Sequence, residues 1–357
     1  MTPAKLSHHR LHSQRLIAPT LPSPADVVRW FGAVQAQEYA GALWALGLRT
    51  RGATEASVAQ AVADGAIVRT WPMRGTLHFV PAEDVRWMLE LTAARQASYA
   101  TARLEREFGL DGKELARSAK VVVGALEGGR RLTREALYRV LELGGVPAGK
   151  GRGLHIVWGL AHAGLICYGP REGRQPTVVL LEEWAPTQRR LSREAALAEL
   201  ALRYFRSHGP ATLHDFIWWS SLRVRDATEG LALVKADLPS VELGGRTYYG
   251  GPTGAAKRRP SPWAQLLPPF DEYTVAYRDR TAVLSPAQLH RVRGMQLLGP
   301  TIVLNGRVVG YWRRHTVEGA VGISLAPFTR LDPTARRAID AATRRYTSFL
   351  GAPADAA

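Results

Sequence analysis

Apolar and polar positions along the chain repeat one order three times. Each pass has helical spacing, a turn, two further helical stretches, and then two alternating runs about a turn. In the first pass, residues 24–32 read as a helix with Ser23 as N-cap and Pro24 at its first position. Thr54 caps a helix over 55–63, with Val58, Ala61 and Val62 at helical spacing. Residues 67–71 and 76–80 alternate as strands about Pro72-Met73-Arg74-Gly75, and 83–108 read as one long helix or two. The second pass has helices over 115–126, 133–141 and 151–163, with Thr133 as a cap. Its strands, 165–168 and 176–181, flank the basic tip Gly169-Pro170-Arg171-Glu172-Gly173-Arg174. In the third, Ser192 caps 193–207, His208-Gly209-Pro210 turns, and helices follow over 212–219 and 223–236. Strands 241–243 and 247–249 then flank Gly244-Gly245. Helix, turn, two helices and hairpin is the order of a winged helix, so the pattern predicts winged-helix units over 1–112, 113–188 and 189–254.

The pattern changes after Gly254. Lys257-Arg258-Arg259-Pro260-Ser261-Pro262 reads as a linker. Runs 301–304 and 307–312 alternate about Asn305-Gly306, the signal for a type I′ hairpin. A closing helix spans 333–350, and the tail after it is expected to fray. Residues 255–357 are thus expected to form a small β-rich domain, and the fold class is α+β.

A hydrophobic fraction of 46% over 357 residues provides for a sizeable core and two to four modules. Charge changes the picture more. Lys and Arg number 47 against 31 Asp and Glu, for a net +16, and the excess is almost all Arg. Such a field favours a polyanion, and tandem winged helices favour a cradle around duplex DNA. A DNA-binding regulator without catalysis fits those two features alone. The single cysteine, Cys167, excludes an intrachain disulfide, a zinc ribbon or a four-cysteine cluster, and it reads as a core residue. No apolar run is long enough for a transmembrane helix, and residues 1–10 lack a signal-peptide core, so the expected location is cytoplasmic. Asp271, Glu272 and Asp279 resemble metal ligands but lack further ligands at a recognisable spacing, so they read as partners of nearby arginines. No metal or cofactor is expected.

One stretch holds candidate chemistry. Val34-Gln35-Ala36-Gln37-Glu38 places two uncharged amides two residues apart. On a helix these would face different ways, so a shared site requires extended or turning backbone at 34–37. A pair of amides can hold and orient a water but cannot remove its proton. Glu38 reads as a surface charge pointing elsewhere. His78 alternates with Leu77 and Phe79, so it takes the opposite strand face, and Trp44 and Trp71 read as core.

Several segments together carry a resemblance. They are Val34-Gln35-Ala36-Gln37, Arg74-Gly75-Thr76-Leu77-His78-Phe79-Val80, His208-Gly209-Pro210-Ala211-Thr212, Trp218-Trp219-Ser220, Leu267-Pro268-Pro269-Phe270-Asp271-Glu272-Tyr273 with Tyr277-Arg278-Asp279-Arg280, and Asn305-Gly306-Arg307-Val308-Val309-Gly310-Tyr311-Trp312-Arg313-Arg314. With these the chain resembles the winged-helix DNA glycosylases of the AlkZ/YcaQ type over nearly its whole length. The resemblance implies three tandem winged helices and a C-terminal β-barrel-like domain. It also implies a Gln-apolar-Gln catalytic pair at Gln35 and Gln37, and removal of N7-alkylguanine-type adducts or crosslinks. A hairpin that holds damaged DNA is implied too; Asn305-Gly306 is the favoured candidate and Gly244-Gly245 the competitor. Candidate DNA contacts are Arg74, His78, Arg171, Arg174, Arg246, Arg307, Arg313 and Arg314. With no lysine near the amide pair to form a Schiff base, the expected enzyme is a monofunctional hydrolase acting as a monomer on double-stranded DNA.

Affinity for undamaged duplex is predicted to fall steeply with salt, because basic groups release counterions from phosphate. A titration across ionic strengths should give a steep negative log–log slope; a flat one would leave the positive charge without a nucleic-acid role.

Overall fold

In a computed structural model, the protein is described over residues 2–17, 20–251, 262–285, 288, 299–317 and 320–351, with side chains undescribed at 3, 93–101, 316, 317 and 320. Most of the expected linker 257–262 and the tail 352–357 lie outside the described residues. The chain begins α1 (Pro3–Ser13), α2 (Pro24–Phe31), β1 (Val34–Gln35), α3 (Tyr39–Gly47) and α4 (Glu55–Ala63). It continues through β2 (Ile67–Met73), β3 (Thr76–Pro81), α5 (Val85–Phe108), α6 (Gly112–Leu126), β4 (Leu132–Thr133), α7 (Arg134–Leu143) and α8 (Arg152–His162). Next come β5 (Ile166–Glu172), β6 (Gln175–Leu180), α9 (Leu181–Trp184), α10 (Arg193–His208), α11 (Leu213–Ser220) and α12 (Val224–Val234). The remainder is β7 (Ser240–Leu243), β8 (Arg246–Tyr249), β9 (Ala264–Leu267), α13 (Glu272–Val275), β10 (Thr301–Leu304), β11 (Arg307–Val317), β12 (Ala320–Pro327) and α14 (Pro333–Phe349). The fold is a mixture of α and β elements. By packing, the chain groups into two compact units: 60–197, and the discontinuous 1–59 with 198–357.

The continuous unit is built on antiparallel strands in the order β3-β2-β5-β6-β4. Its core holds a cluster that includes Trp71, Leu77, Leu104, Val122, Leu137, Ile156 and Val178. Helical spacing in the sequence foretells which faces are buried: Ser118, Val122 and Leu126 on α6, and Leu137 and Leu141 on α7. Cys167 is buried, as read from its apolar run, and burial pushes its thiol well above the usual range.

In the discontinuous unit, α2 starts as its sequence predicts: the Ser23 hydroxyl accepts from the Asp26 amide at 3.1 Å, and Val27, Val28 and Phe31 are buried. The C-terminal strands form an antiparallel sheet in the order β12-β11-β10-β9. Among the described residues this sheet is open, with β9 and β12 as edges, so the expected barrel-like closure is replaced by a four-stranded sheet. The helix α14 covers it, where Trp44 of α3 meets Tyr346 and Phe349 and Trp312 of β11 meets Tyr346. Two carbonyls of β9 accept from indoles: Leu266 from Trp44 at 2.7 Å and Leu267 from Trp312 at 2.8 Å.

The segments on either side of the discontinuity are tied by charge. Arg49, just beyond α3, donates to both oxygens of Asp271 at 2.8 Å each, and both side chains are almost wholly buried. Arg49 also donates to the Gln14 carbonyl and side chain and to the Ala45 carbonyl, so its fork is fully used. Arg10 of α1 donates to the Pro210 carbonyl at 2.9 Å, approaches Asp215 at 3.5 Å and lies over the Tyr277 ring. Asp271 does pair with an arginine, as read from the sequence, but with one 222 residues away rather than nearby, and Glu272, read the same way, is met by Trp219, His208 and the Gln35 amide.

Removing one member of a buried ion pair strands the other without a partner. Arg49→Met is predicted to cost about 3–5 kcal/mol in chemical denaturation. The double replacement Arg49→Met with Asp271→Leu should recover much of that loss. Equal costs for the single and double variants would refute the coupling.

Candidate active site and nucleic-acid contacts

The helix α2 ends at Gly32, whose φ of 80° suits a residue without a side chain. The backbone then runs extended through β1 and bends at Gln37 and Glu38, the geometry that two amides of one site require. Ala33, Val34 and Ala36 are fully or nearly fully buried and anchor the segment. The amides differ in depth: Gln35 is 8% exposed, whereas Gln37 lies on the exposed bend.

Glu38 turns the chain into α3. Its carboxylate accepts from the amides of Ala40 at 3.1 Å and Gly41 at 2.5 Å, capping a helix whose residues 41–47 are all buried. Glu38 therefore acts as a helix cap, a role more specific than the surface charge expected of it. A Cβ at Gly41 would lie 2.7 Å from the Glu38 carboxylate and about as close to Pro268 and Pro269, so the cap needs glycine there.

Behind Gln35 lies a buried acid. Glu272, the first residue of α13, is 1% exposed, and its Oε1 accepts from the Gln35 amide at 2.9 Å. Its Oε2 accepts from the Trp219 indole at 2.9 Å and lies 3.2 Å from His208 Nε2. The His208 ring is wholly buried between aromatic groups, stacked on Tyr204 at 4.7 Å, with Nδ1 2.8 Å from the Ser207 hydroxyl. Burial lowers the imidazole pKa, and the Glu272 carboxylate opposes that only in part, so the ring is neutral at pH 7. An ionised carboxylate only accepts, so a neutral ring serves it with the proton on Nε2. The motif residues His208, Trp219 and Glu272, remote in sequence, converge here, and nothing in their local sequence signals it.

The candidate DNA contacts fall into several places. In the continuous unit, Arg74 occupies the turn between β2 and β3, with a left-handed φ of 56°. It donates to His78 Nε2 at 3.0 Å, and Nδ1 of that ring therefore carries the proton it donates to the Thr76 carbonyl at 2.9 Å. His78 is wholly buried, so it meets Arg74 rather than solvent, and a direct phosphate contact from its ring is blocked by burial. Arg171 and Arg174 are exposed at the β5–β6 hairpin, where the Arg171 guanidinium donates to the Arg174 carbonyl.

In the discontinuous unit, Arg246 is exposed at the β7–β8 turn and pairs with Asp279 at 3.2 Å. It borders a cleft of about 1030 Å³ shared with His214, Arg278 and Arg280. Asn305 and Gly306 have φ of 49° and 85°, both positive as a type I′ turn requires. Yet that tip is not free to enter a groove. Asn305 exchanges hydrogen bonds with the Trp263 backbone, and the Gly306 carbonyl accepts from Tyr273 at 2.7 Å. A Cβ on Gly306 would meet Ser7 and Leu11 of α1. Arg307 is accordingly only half-exposed. The exposed ribbon is instead β11 with β12, registered from Gly310↔Pro327 to Val317↔Ala320, and it presents Arg313, Arg314 and His315. Sequence reasoning ended β11 at Trp312 and did not place β12, although Val321, Ile323 and Leu325 alternate.

Comparison with known proteins places this chain in a family. The family model "DNA glycosylase AlkZ-like" matches residues 28–349. The chain is 29% identical over 321 residues to the interstrand DNA cross-link repair glycosylase of Streptomyces sahachiroi, covering 85% of each. Its structure is similar to that of Streptomyces sahachiroi DNA glycosylase AlkZ, with a TM-score of 0.79 at 26% identity over 99% of this chain and 97% of the other. The match spans the amide strand, the buried acid behind it and the basic ribbon, and the chain belongs to the AlkZ-like DNA glycosylase family.

Proposed function

We propose that this glycosylase removes cationic alkylated purines of the N7-alkylguanine type by water attack at the sugar C1′, leaving an abasic site without strand cleavage. The observation that carries this reading is a pair of neutral amides two residues apart, Gln35 on a buried extended strand and Gln37 on the exposed bend that follows it. An N7-alkylpurine is already a positively charged leaving group, so the bond breaks toward an oxocarbenium-like sugar without acid assistance. What the site must supply is a placed water and partial negative charge facing the sugar. The carbonyl oxygens of Gln35 and Gln37 can accept from that water and stabilise the developing cation. A site without a strong base or acid also spares undamaged bases. The name of the Streptomyces sahachiroi relative, an interstrand DNA cross-link repair glycosylase, extends the proposed class of substrate to interstrand crosslinks.

On this reading the helix-and-hairpin repeats serve as three winged-helix units cradling duplex DNA. Arg74, Arg171, Arg174, Arg246, Arg307, Arg313 and Arg314 supply phosphate or groove contacts, with His78 orienting Arg74 from within. The groove-entering element is the β11–β12 ribbon, whose Arg313 and Arg314 suit the negative potential of a minor groove.

Gln35→Ala and Gln37→Ala are each predicted to slow single-turnover excision from an N7-methylguanine duplex by ~10- to 1000-fold, with affinity for undamaged duplex little changed. Full activity in the double variant would remove the amides from the mechanism.

A further inference from the structure

We infer that Glu272 is a positioning residue for excision, acting through the main chain of Gln35; this rests on the glycosylase reading above. The reasons lie in what Glu272 touches and in what it lacks. It is 1% exposed, so it has no route to solvent or substrate of its own. Burying a carboxylate is costly unless it is met by donors. Its donors include the Trp219 indole and the His208 ring on Oε2, and on Oε1 the backbone amide of Gln35 at 2.9 Å. That last contact spans 237 residues of sequence and ends on the first amide of the pair.

The surrounding groups fix the carboxylate's own direction. Trp219 closes α11's buried face, and His208 ends α10, held between Tyr204, Phe31 and Trp219 rings. Asp271, the preceding residue, is clamped by both donors of Arg49, so the start of α13 cannot drift. The result is a rigid acceptor aimed at the peptide whose side chain must sit in the site. Misplacing a reacting group by as little as ~1 Å can cost about 100-fold in rate. A tether on the Gln35 amide is therefore a control on rate rather than on DNA affinity. In the sequence, Glu272 stands in a Pro-Pro-Phe-Asp-Glu-Tyr run with no visible relation to Gln35.

The test compares three variants with the parent: Glu272→Met, which deletes the acceptor at similar volume; Glu272→Gln, which keeps an oxygen for the Gln35 amide; and Trp219→Phe, which removes one donor holding the carboxylate. Each is measured for single-turnover excision on an N7-methylguanine duplex, for affinity to undamaged duplex, and for hydrogen exchange of the segment 34–37. Glu272→Met should excise ~10- to 100-fold more slowly, with unchanged affinity and faster exchange at Gln35. Glu272→Gln, whose oxygen still serves the Gln35 amide but whose NH2 meets the donor-only Trp219 indole, should recover only part of the rate, and Trp219→Phe, which keeps the carboxylate, should stay within ~5-fold of the parent. If Glu272→Met does not fold, Trp219→Phe against Glu272→Gln decides the matter by the same readouts. Parent-like rate and exchange in Glu272→Met, or a loss of duplex affinity as large as the loss of rate, would overturn the role. A parent inert on that duplex would overturn the glycosylase reading instead, and unchanged exchange at Gln35 would still overturn the tether.

Discussion

The discontinuous unit depends on one buried contact, the bidentate pairing of Arg49 with Asp271 across 222 residues of chain. Neither ion can be left alone in that interior, so the segment after α3 and the segment before α13 must meet. Gln14 adds the end of α1 to the same fork. Once Asp271 is fixed, Glu272 follows by one residue, and its carboxylate falls against the Gln35 amide. Structural charge and candidate chemistry are thus consecutive in sequence, with the first constraining the second.

That arrangement suits the catalyst of neutral groups proposed above. Two amides provide little driving force of their own, so in that proposal their effect rests on placement, and placement rests on the backbone. The ends of the amide segment are set by backbone contacts: Ala33 and Val34 are buried after the glycine cap of α2, and Glu38 caps α3 over Gly41. The buried neutral His208 beside Glu272 belongs to the same logic. Its proton is shared with a carboxylate inside an aromatic enclosure, where burial disfavours a charged ring.

Local signals in the sequence carried the elements well, because each is decided within a few residues. Ser23-Pro24 begins a helix, Thr212 with Asp215 closes a capping box, and Asn305-Gly306 makes a turn with both φ positive. The extended backbone at Gln35 was legible from the two-residue spacing of the amides. What local signals could not carry were the partners. Arg10 of α1 and Gln14 just after it lie in a polar stretch with no local sign of burial, yet both are buried, and each has a partner more than 200 residues away, Asp215 for Arg10 and Tyr277 for Gln14. Gly306 heads a strong hairpin signal, but its tip is covered by α1, and coverage is a tertiary fact. The β12 strand is faint in the sequence for the opposite reason: its ribbon is exposed beyond Trp312, so no core-facing run marks it as strongly as β10 or β11.

The most direct measurement is product analysis on a duplex carrying one N7-methylguanine, with and without borohydride. The account predicts free base released in step with abasic sites, a strand that breaks only on later alkaline treatment, and no protein trapped on DNA. An absence of free base, or a nicked strand with a borohydride-trapped covalent complex, would contradict it.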